Sequence, residues 1–445
     1  MKGLPENIGE LKQLQSLNLK SNDITDLPEG IRSCSHLQYI NLSFNKGLNL
    51  ETMVTRLNSI PDLSALNISN DFIAFLPENF GDLSKLKVLD ISDNRLRSLP
   101  ENFQEMRELE TLDLSNNLLL DYSKYFIMIS KLPSLKHLSI ASNDLKSLPE
   151  AVGNLTTLES LDLSGNLLTA LPATMEKLIQ LRELNLGMDG SGQRRNKIRN
   201  FPAGFEKLVN LERLNMSGDS IIVIPPVVSK FVNLKELNLS WCTLFEISPS
   251  IRGLKNLEIL NLSHNHINKI PEWIGELSAL RELKLDADFF TYPVDKVNLL
   301  PASIGNLKNL RVLSLEDQVI RSLPASIVSC TNLKTLDLRN NLISVLPNEF
   351  TSMAALENLD LKANDLQKLP VGFDRLNNLK DLNISFNQSL DILDAAQQLQ
   401  HMKKLEVLDI SFNDLNPDIY FALKKALPAT KIIAKGFNNL EPIGK

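Results

Sequence analysis

Leucines and isoleucines return in one fixed frame along nearly the whole chain. The stretch 257–274, LEILNLSHNHINKIPEWI, shows it most cleanly and reads L-x-x-L-x-L-x-x-N-x-I-x-x-I-P-x-x-I. With GELSA it makes a unit of 23 residues, and Leu280 opens the next. Opening leucines stand at 14, 37, 63, 86, 109, 135, 158, 181, 211, 234, 257, 280, 310, 333, 356, 379 and 405, which gives 17 units. Most spacings are 23. Those starting at Leu37, Leu109 and Leu379 are 26, and those starting at Leu181 and Leu280 are 30.

Two periods alternate inside each unit. In L-x-x-L-x-L, neighbouring residues point to opposite sides, as in a strand. The second and third leucines go to the core and the residues between them face solvent. After the turn, L-P-x-x-I-x-x-L-x-x-L switches to spacings of three. That spacing predicts a short helical or 3-10 turn, with proline pre-setting the backbone at its start. One unit cannot bury its own leucine face, whereas a stack of units can. Truncating one such leucine to alanine is expected to cost about 2–5 kcal/mol.

A polar residue closes each strand from the inside. It is Asn22, Asn45, Asn94, Asn117, Asn143, Asn166, Asn265, Asn341, Asn364, Asn387 and Asn413 in the regular units. An amide both donates and accepts, so it can satisfy backbone groups that stacking would bury unpaired. In this frame the position reads Asp71 early on, and Asp189, Asp219, Cys242, Asn265, Asp288 and Gln318 from the eighth unit. An ionised aspartate accepts only, so bonding at those turns must differ.

These units resemble the leucine-rich repeat family, in its 23-residue form with L-P-x-x-I-G-x-L, as in LPENFGDLSKL and LPASIGNLKNL. Plant intracellular Ras-group repeat proteins, Scribble-like scaffolds, Roco proteins and many bacterial proteins carry similar repeats. The resemblance covers residues 4–427. It implies an α/β fold: a right-handed solenoid (horseshoe) of about 17 repeats, with a parallel sheet on the concave face and short helical or 3-10 turns on the convex face. It also implies binding of protein partners on the concave face, and no shared catalytic residue.

The ends depart from the frame. LPENIGEL at 4–11 is the second half of a unit without its strand, so residues 1–13 form a partial repeat. Either more chain precedes it or that edge is thinly capped. The solenoid proper is assigned to 14–427, and 428–445 to a cap strand and tail. Asn416-Pro417-Asp418 starts a helix through IYFALKKAL, and TKIIA at 430–434 adds a last strand.

Composition narrows the function. The chain is 445 residues long, 43% hydrophobic and 22% charged, with a net charge of −6. Phosphate contacts need concentrated Lys and Arg, which argues against nucleic acid. No run of 18 apolar residues exists, so no membrane insertion is expected. Cys34, Cys242 and Cys330 are too few for a disulfide framework. Six of the eight N-x-S/T sequons lie on the strands, at Asn41, Asn67, Asn215, Asn238, Asn261 and Asn383, so sugars there would coat the sheet. This pattern favours a cytoplasmic location over a bacterial envelope or secreted one.

Function is sought where the frame breaks. The two 30-residue units each insert seven residues, read here as lying between the rung position and the next core residue. One loop, 190–197, is basic, with Arg194 and Arg195. The other, 289–296, carries Phe289, Phe290 and Tyr292, residue types that anchor interfaces. The loops start four strands apart, roughly 19 Å, enough for a peptide or a helix about 10 Å across. Between them Met188, Trp241 and His264 share one strand-end position, with Trp241 expected to be exposed. Phe44 and Phe386 share it too, in 26-residue units, and are expected to pack under the longer turn. Asp286, Asp288, Glu316 and Asp317 gather on adjacent strands. Calcium would suit them, but Arg339 and Lys362 on the next strands favour cross-strand charge pairing, so neither metal nor cofactor is assigned.

No catalytic constellation is found. Cys242 and His264 come from adjacent units, but Cys242 points inward, and no phosphate loop or serine-nucleophile motif occurs. The expected function is a non-catalytic scaffold that holds a protein or peptide. Its candidate partner-binding residues are Met188, Arg194, Arg195, Trp241, His264, Asp286, Phe289, Phe290, Tyr292, Glu316 and Asp317. The alternative is the sensor segment of a larger signalling protein of the Roco type. Oligomeric state is left open.

Overall fold

Leucine spacing dictates the elements, and they form where the spacing puts them. The computed structural model describes residues 1–287 and 300–436. Each strand is three residues long, and all but the last begin two residues after an opening leucine, as with β1 (Ser16–Asn18) after Leu14. The described residues fall into two compact units, divided between Ser220 and Ile221. In the first, nine parallel strands run from β1 to β9 (Arg213–Asn215), each in register with the next. In the second, nine run from β10 (Glu236–Asn238) to β18 (Lys431–Ile433). The last of these lies inside the stretch 430–434.

The return segments are 3-10 turns. Proline stands just before most of them, for example Pro271 at φ −76 and Pro301 at φ −70, ahead of Glu272–Glu276 and Ala302–Asn306. The glycine of I-G has a steric cause. A Cβ on Gly275 would stand 2.3 Å from the Ser303 carbonyl oxygen of the next turn, and one on Gly305 2.4 Å from that of Ser326. Only glycine lets successive turns stack so closely.

The 26-residue units use their three extra residues to build true α-helices. These are α1 (Leu50–Leu57), α2 (Tyr122–Ile129) and α3 (Ile392–Leu399). Each has an N-cap: Asn49 accepts from the Thr52 amide, Asp121 from Ser123 and Asp391 from Asp394. A fourth helix, α4 (Pro417–Ala426), is capped by Asn416. These helices correct one expectation. Met53, Val54 and Leu57, and likewise Ile392, Ala395 and Leu399, fill the space under the long turns. Phe44 and Phe386 therefore stay out of the core and are 42% and 40% exposed.

Two polar devices hold most strand ends. The first explains the sequons: the strand Asn accepts from the amide two residues on, as Asn261 does from Ser263 at 3.0 Å, closing an Asx turn. The second is the asparagine ladder. Asn265 donates to the carbonyls of Leu239 (2.8 Å) and Leu262 (2.9 Å) and accepts from the Leu244 amide (3.0 Å). Asn341 repeats this with Leu315, Leu338 and Ile320. Gln318 substitutes by donating to Leu285, and Cys242 is buried at its rung.

The first 30-residue unit differs from the reading above. Its rung is Asn196, not Asp189. Asn196 is fully buried, donates to Leu163 (3.1 Å) and Leu186 (2.7 Å) and accepts from Leu168 (2.9 Å). The inserted residues thus lie between strand and rung. Asp189 instead closes the loop, accepting from Ser191 (2.9 Å) and the Gln193 amide (3.1 Å).

Candidate functional site

The residue just before a rung turns the chain sharply, and in the regular units it takes a left-handed conformation. Trp241 and His264 both sit there at φ +58. This sets their rings outside the core at the ends of adjacent strands. The indole is 44% exposed and stacks on the imidazole, with ring centroids 4.0 Å apart and planes 19° from parallel. The Trp241 amide donates to Ser263 and the His264 amide to Asp286, which ties both turns to the next strand.

A second row lies beside this stack. Past the rungs, the segments at 221, 243–245 and 266–268 pair through Thr243 N–H to Ile221 O (3.1 Å) and His266 N–H to Leu244 O (2.8 Å). The ring of Phe245, 53% exposed, lies 5.4 Å from that of His266. Ile222 and Val223 are also exposed. Trp241, Phe245, Ile222 and Val223 are thus large apolar side chains left exposed on neighbouring repeats, of the kind that mark interaction sites when they cluster. Sequence reasoning missed Phe245, Ile222 and Val223. The available signal was a run of apolar side chains at positions where the repeat frame asks for polar ones.

The acidic residues are engaged with their neighbours. Asp286 accepts from Ser314 Oγ (2.5 Å), the Glu316 amide (3.0 Å) and Ser263 Oγ (3.0 Å). Glu316 pairs with Arg339 at 2.8 Å. Arg339 also binds Asp337 (2.7 Å) and reaches toward Asp360 (3.8 Å). Burial lifts the Glu316 carboxyl above its ordinary range. Asp337, Asp317 and Asp286 add to this, and Arg339 opposes it. Burial also raises Asp360, and Arg339 is held firmly protonated by its hydrogen bond to Asp337. A depression of about 460 Å³ opens over these strands, lined by Asp337, Arg339, Asp360, Asp381 and Asp409. Among the described residues no group of three possible ligands is placed to hold a metal. Lys362 meets the network through its backbone amide, which donates to Asp360 (2.9 Å), while its ammonium lies 5.6 Å from the Phe386 ring.

Met188, Arg194 and Arg195 lie in the first unit. Met188 is half-buried, with Gly192 and Gly218 against it. Arg194 is drawn back onto its own unit, to Asp144 (3.6 Å) and the Ser142 carbonyl (3.4 Å). Arg195 is exposed, and the stem of its side chain lies along Gly218. Phe289, Phe290 and Tyr292, with Asp288, fall outside the described residues.

Short parallel strands, leucine-filled on one side, joined by 3-10 turns and tied by an asparagine ladder, define a leucine-rich repeat solenoid in each unit. A family model described as a leucine-rich repeat region matches residues 112–223 and 294–433, and two others described as leucine-rich repeat match 61–119 with 232–288, and 12–27. The chain belongs to the leucine-rich repeat family. A leucine-rich repeat protein of Leptospira interrogans is similar over 97% of this chain and 99% of its own, at 27% identity and a TM-score of 0.70. The plant peptide hormone receptor RGFR1, solved in complex with RGF2, matches over 98% of this chain and 68% of its own, at 23% identity and a TM-score of 0.63. TLR13, solved with ssRNA13, matches over 100% and 74%, at 23% identity and a TM-score of 0.61. No curated protein matches the chain in sequence. Among the described residues no helix is long and apolar enough to cross a membrane.

Proposed function

We propose that the chain is a non-catalytic binding module that holds a protein or peptide on the exposed sheet face of its second unit, anchored at Trp241. The observation that carries this reading is the exposed Trp241–His264 stack, with a second exposed ring pair, Phe245–His266, on the same two repeats. An indole with one face supported and the other in water offers large contact area at low entropic cost, as interface anchors do. The acidic side chains from Asp286 to Asp360 form the polar flank. The peptide hormone receptor RGFR1, of the same fold, was solved in complex with RGF2, which supports a peptide as occupant.

The test is affinity capture by the intact chain, by Trp241→Ala and by a chain with residues 289–292 replaced by Gly/Ser. Quantitative mass spectrometry of the captured proteins is the readout. At least one partner should bind the intact chain and drop tenfold or more with Trp241→Ala. Equal capture by all three chains would remove this site and leave the fold assignment standing.

A further inference from the structure

The first unit carries a different surface, built around Phe72, that no reading of the repeat frame singles out. Phe72 follows the aspartate rung Asp71 and is left-handed at φ +60, with Asn70 before it at φ +63. Its ring is 45% exposed and has two cations near it: the Lys46 ammonium 4.6 Å and the Arg95 guanidinium 4.4 Å from the ring centroid. Arg95 and Arg97 sit two residues apart on a segment pinned by its amides to the carbonyls of Ile73 (2.9 Å) and Ala74 (3.0 Å). Both are exposed. Among the described residues neither these arginines nor Lys46 forms an ion pair. Leu118 and Leu119 are exposed beside them. Together with Phe72, Arg95 and Arg97 they line a depression of about 580 Å³. Its one carboxylate, Asp93, accepts from Asn116 Nδ2 at 2.5 Å.

We infer that this depression is a docking site for an acidic peptide segment of a partner protein, with an apolar side chain seated on Phe72, Leu118 and Leu119 and flanking carboxylates held by Arg95 and Arg97. Charge complementarity selects the occupant. Two guanidinium groups line the apolar floor against one carboxylate, with the Lys46 ammonium also near Phe72, and this local excess of positive charge stands in a chain whose net charge is −6. A guanidinium fork matches a carboxylate bidentately. A basic or neutral peptide would bury the ring and leave those cations desolvated without partners. The surface is separate from the one at Trp241 and does not depend on it.

The test is selection of random displayed dodecapeptides on the full-length chain, counter-selected against a Phe72→Ala/Arg95→Glu/Arg97→Glu variant. The recovered peptide is then labelled with fluorescein and titrated. The expected pool is rich in Asp and Glu interleaved with Leu or Phe. Its binding should fall at least tenfold with Arg95→Glu/Arg97→Glu and with Phe72→Ala, weaken with added NaCl, and stay unchanged with Trp241→Ala. All changed side chains are exposed, and circular dichroism checks that the variants fold. A basic or neutral pool, or no pool that distinguishes the variant, overturns the proposal. So does an oligouridylate that binds through the same arginines more tightly than the selected peptide.

Discussion

At Asn166 and Asp219 the same step of the chain is closed by two different groups. Asn166 donates to the carbonyls of Ile140 (3.0 Å) and Leu163 (2.9 Å) and accepts from the amides of Asn143 (3.0 Å) and Leu145 (3.1 Å). Asp219, equally buried, accepts from the Ile198 amide at 2.9 Å, while its Oδ2 has no partner among the described residues. Asp71 shows the same defect: one oxygen accepts from the Asn45 amide and Oδ2 is left over. The carboxylate takes the accepting half of the rung and cannot take the donating half. Burial then pushes Asp219 up to about 8 and Asp71 up to about 7, opposed in each case by the one backbone amide. The ladder is thus a device that fits an amide, and two of its rungs are tuned by proton instead.

The largest effect is expected from removing an amide rung. Asn166→Ala leaves the Ile140 carbonyl and two amides buried without partners, while the Leu163 carbonyl keeps its bond from Asn196. At roughly 1–3 kcal/mol for a group so left, with partial relaxation, about 4 kcal/mol of local stability should disappear. Hydrogen exchange at the amides of Asn143 and Leu145 measures it directly. Protection unchanged at both would mean that the ladder is decoration.

The carboxylate rungs predict the opposite sign. The folded Asp219 titrates near 8, and the unfolded one near 4. Below pH 4 both states hold the proton and nothing is lost. As pH rises toward 8 the unfolded chain releases a proton that the folded rung retains, so stability falls, and it levels off above 8. Asp219→Asn should therefore stabilise the chain by about 2–3 kcal/mol at pH 9 and hardly at all near pH 4. Asp71→Asn should give a smaller gain, about 1–2 kcal/mol, with its window closing near pH 7. Urea midpoints measured across this range test both. A gain independent of pH would show that shape, not charge, separates the two kinds of rung.

Strands, turns and most rungs were legible because each answers to a leucine at a fixed distance. The helices of the 26-residue units were legible only as turns. Three extra residues do not announce that they complete an α-helix, and Phe44 and Phe386 were lost with that detail. The interaction surfaces were legible only in part. Trp241 stood out by type, but Phe245, Phe72 and Arg95 matter through neighbours from other units, whose adjacency past the rungs the frame does not encode. Asp286 and Glu316 were grouped correctly by strand, yet serines, a backbone amide and Arg339 satisfy them, and no periodicity reports that.

The misplaced rung of the first 30-residue unit gives the smallest and sharpest test. Counting forward from the strand makes Asp189 the rung, whereas counting back from the core makes it Asn196, because rungs precede the next core residue by two, as Asn166 precedes Leu168 and Asn265 precedes Ile267. The structure obeys the second count, since the rung must bond the amide of the segment beside that core residue. Asp189 binds only its own loop. Asp189→Ala should cost about 1 kcal/mol or less, the net worth of ordinary exposed hydrogen bonds, with exchange at the Leu168 amide unchanged. Asn196→Asp, by contrast, should convert that rung to the proton-tuned kind and make exchange at Leu168 rise with pH beyond the intrinsic increase. If Asp189→Ala instead deprotects Leu168, the loop is part of the rung and the two halves of the insertion are one structure.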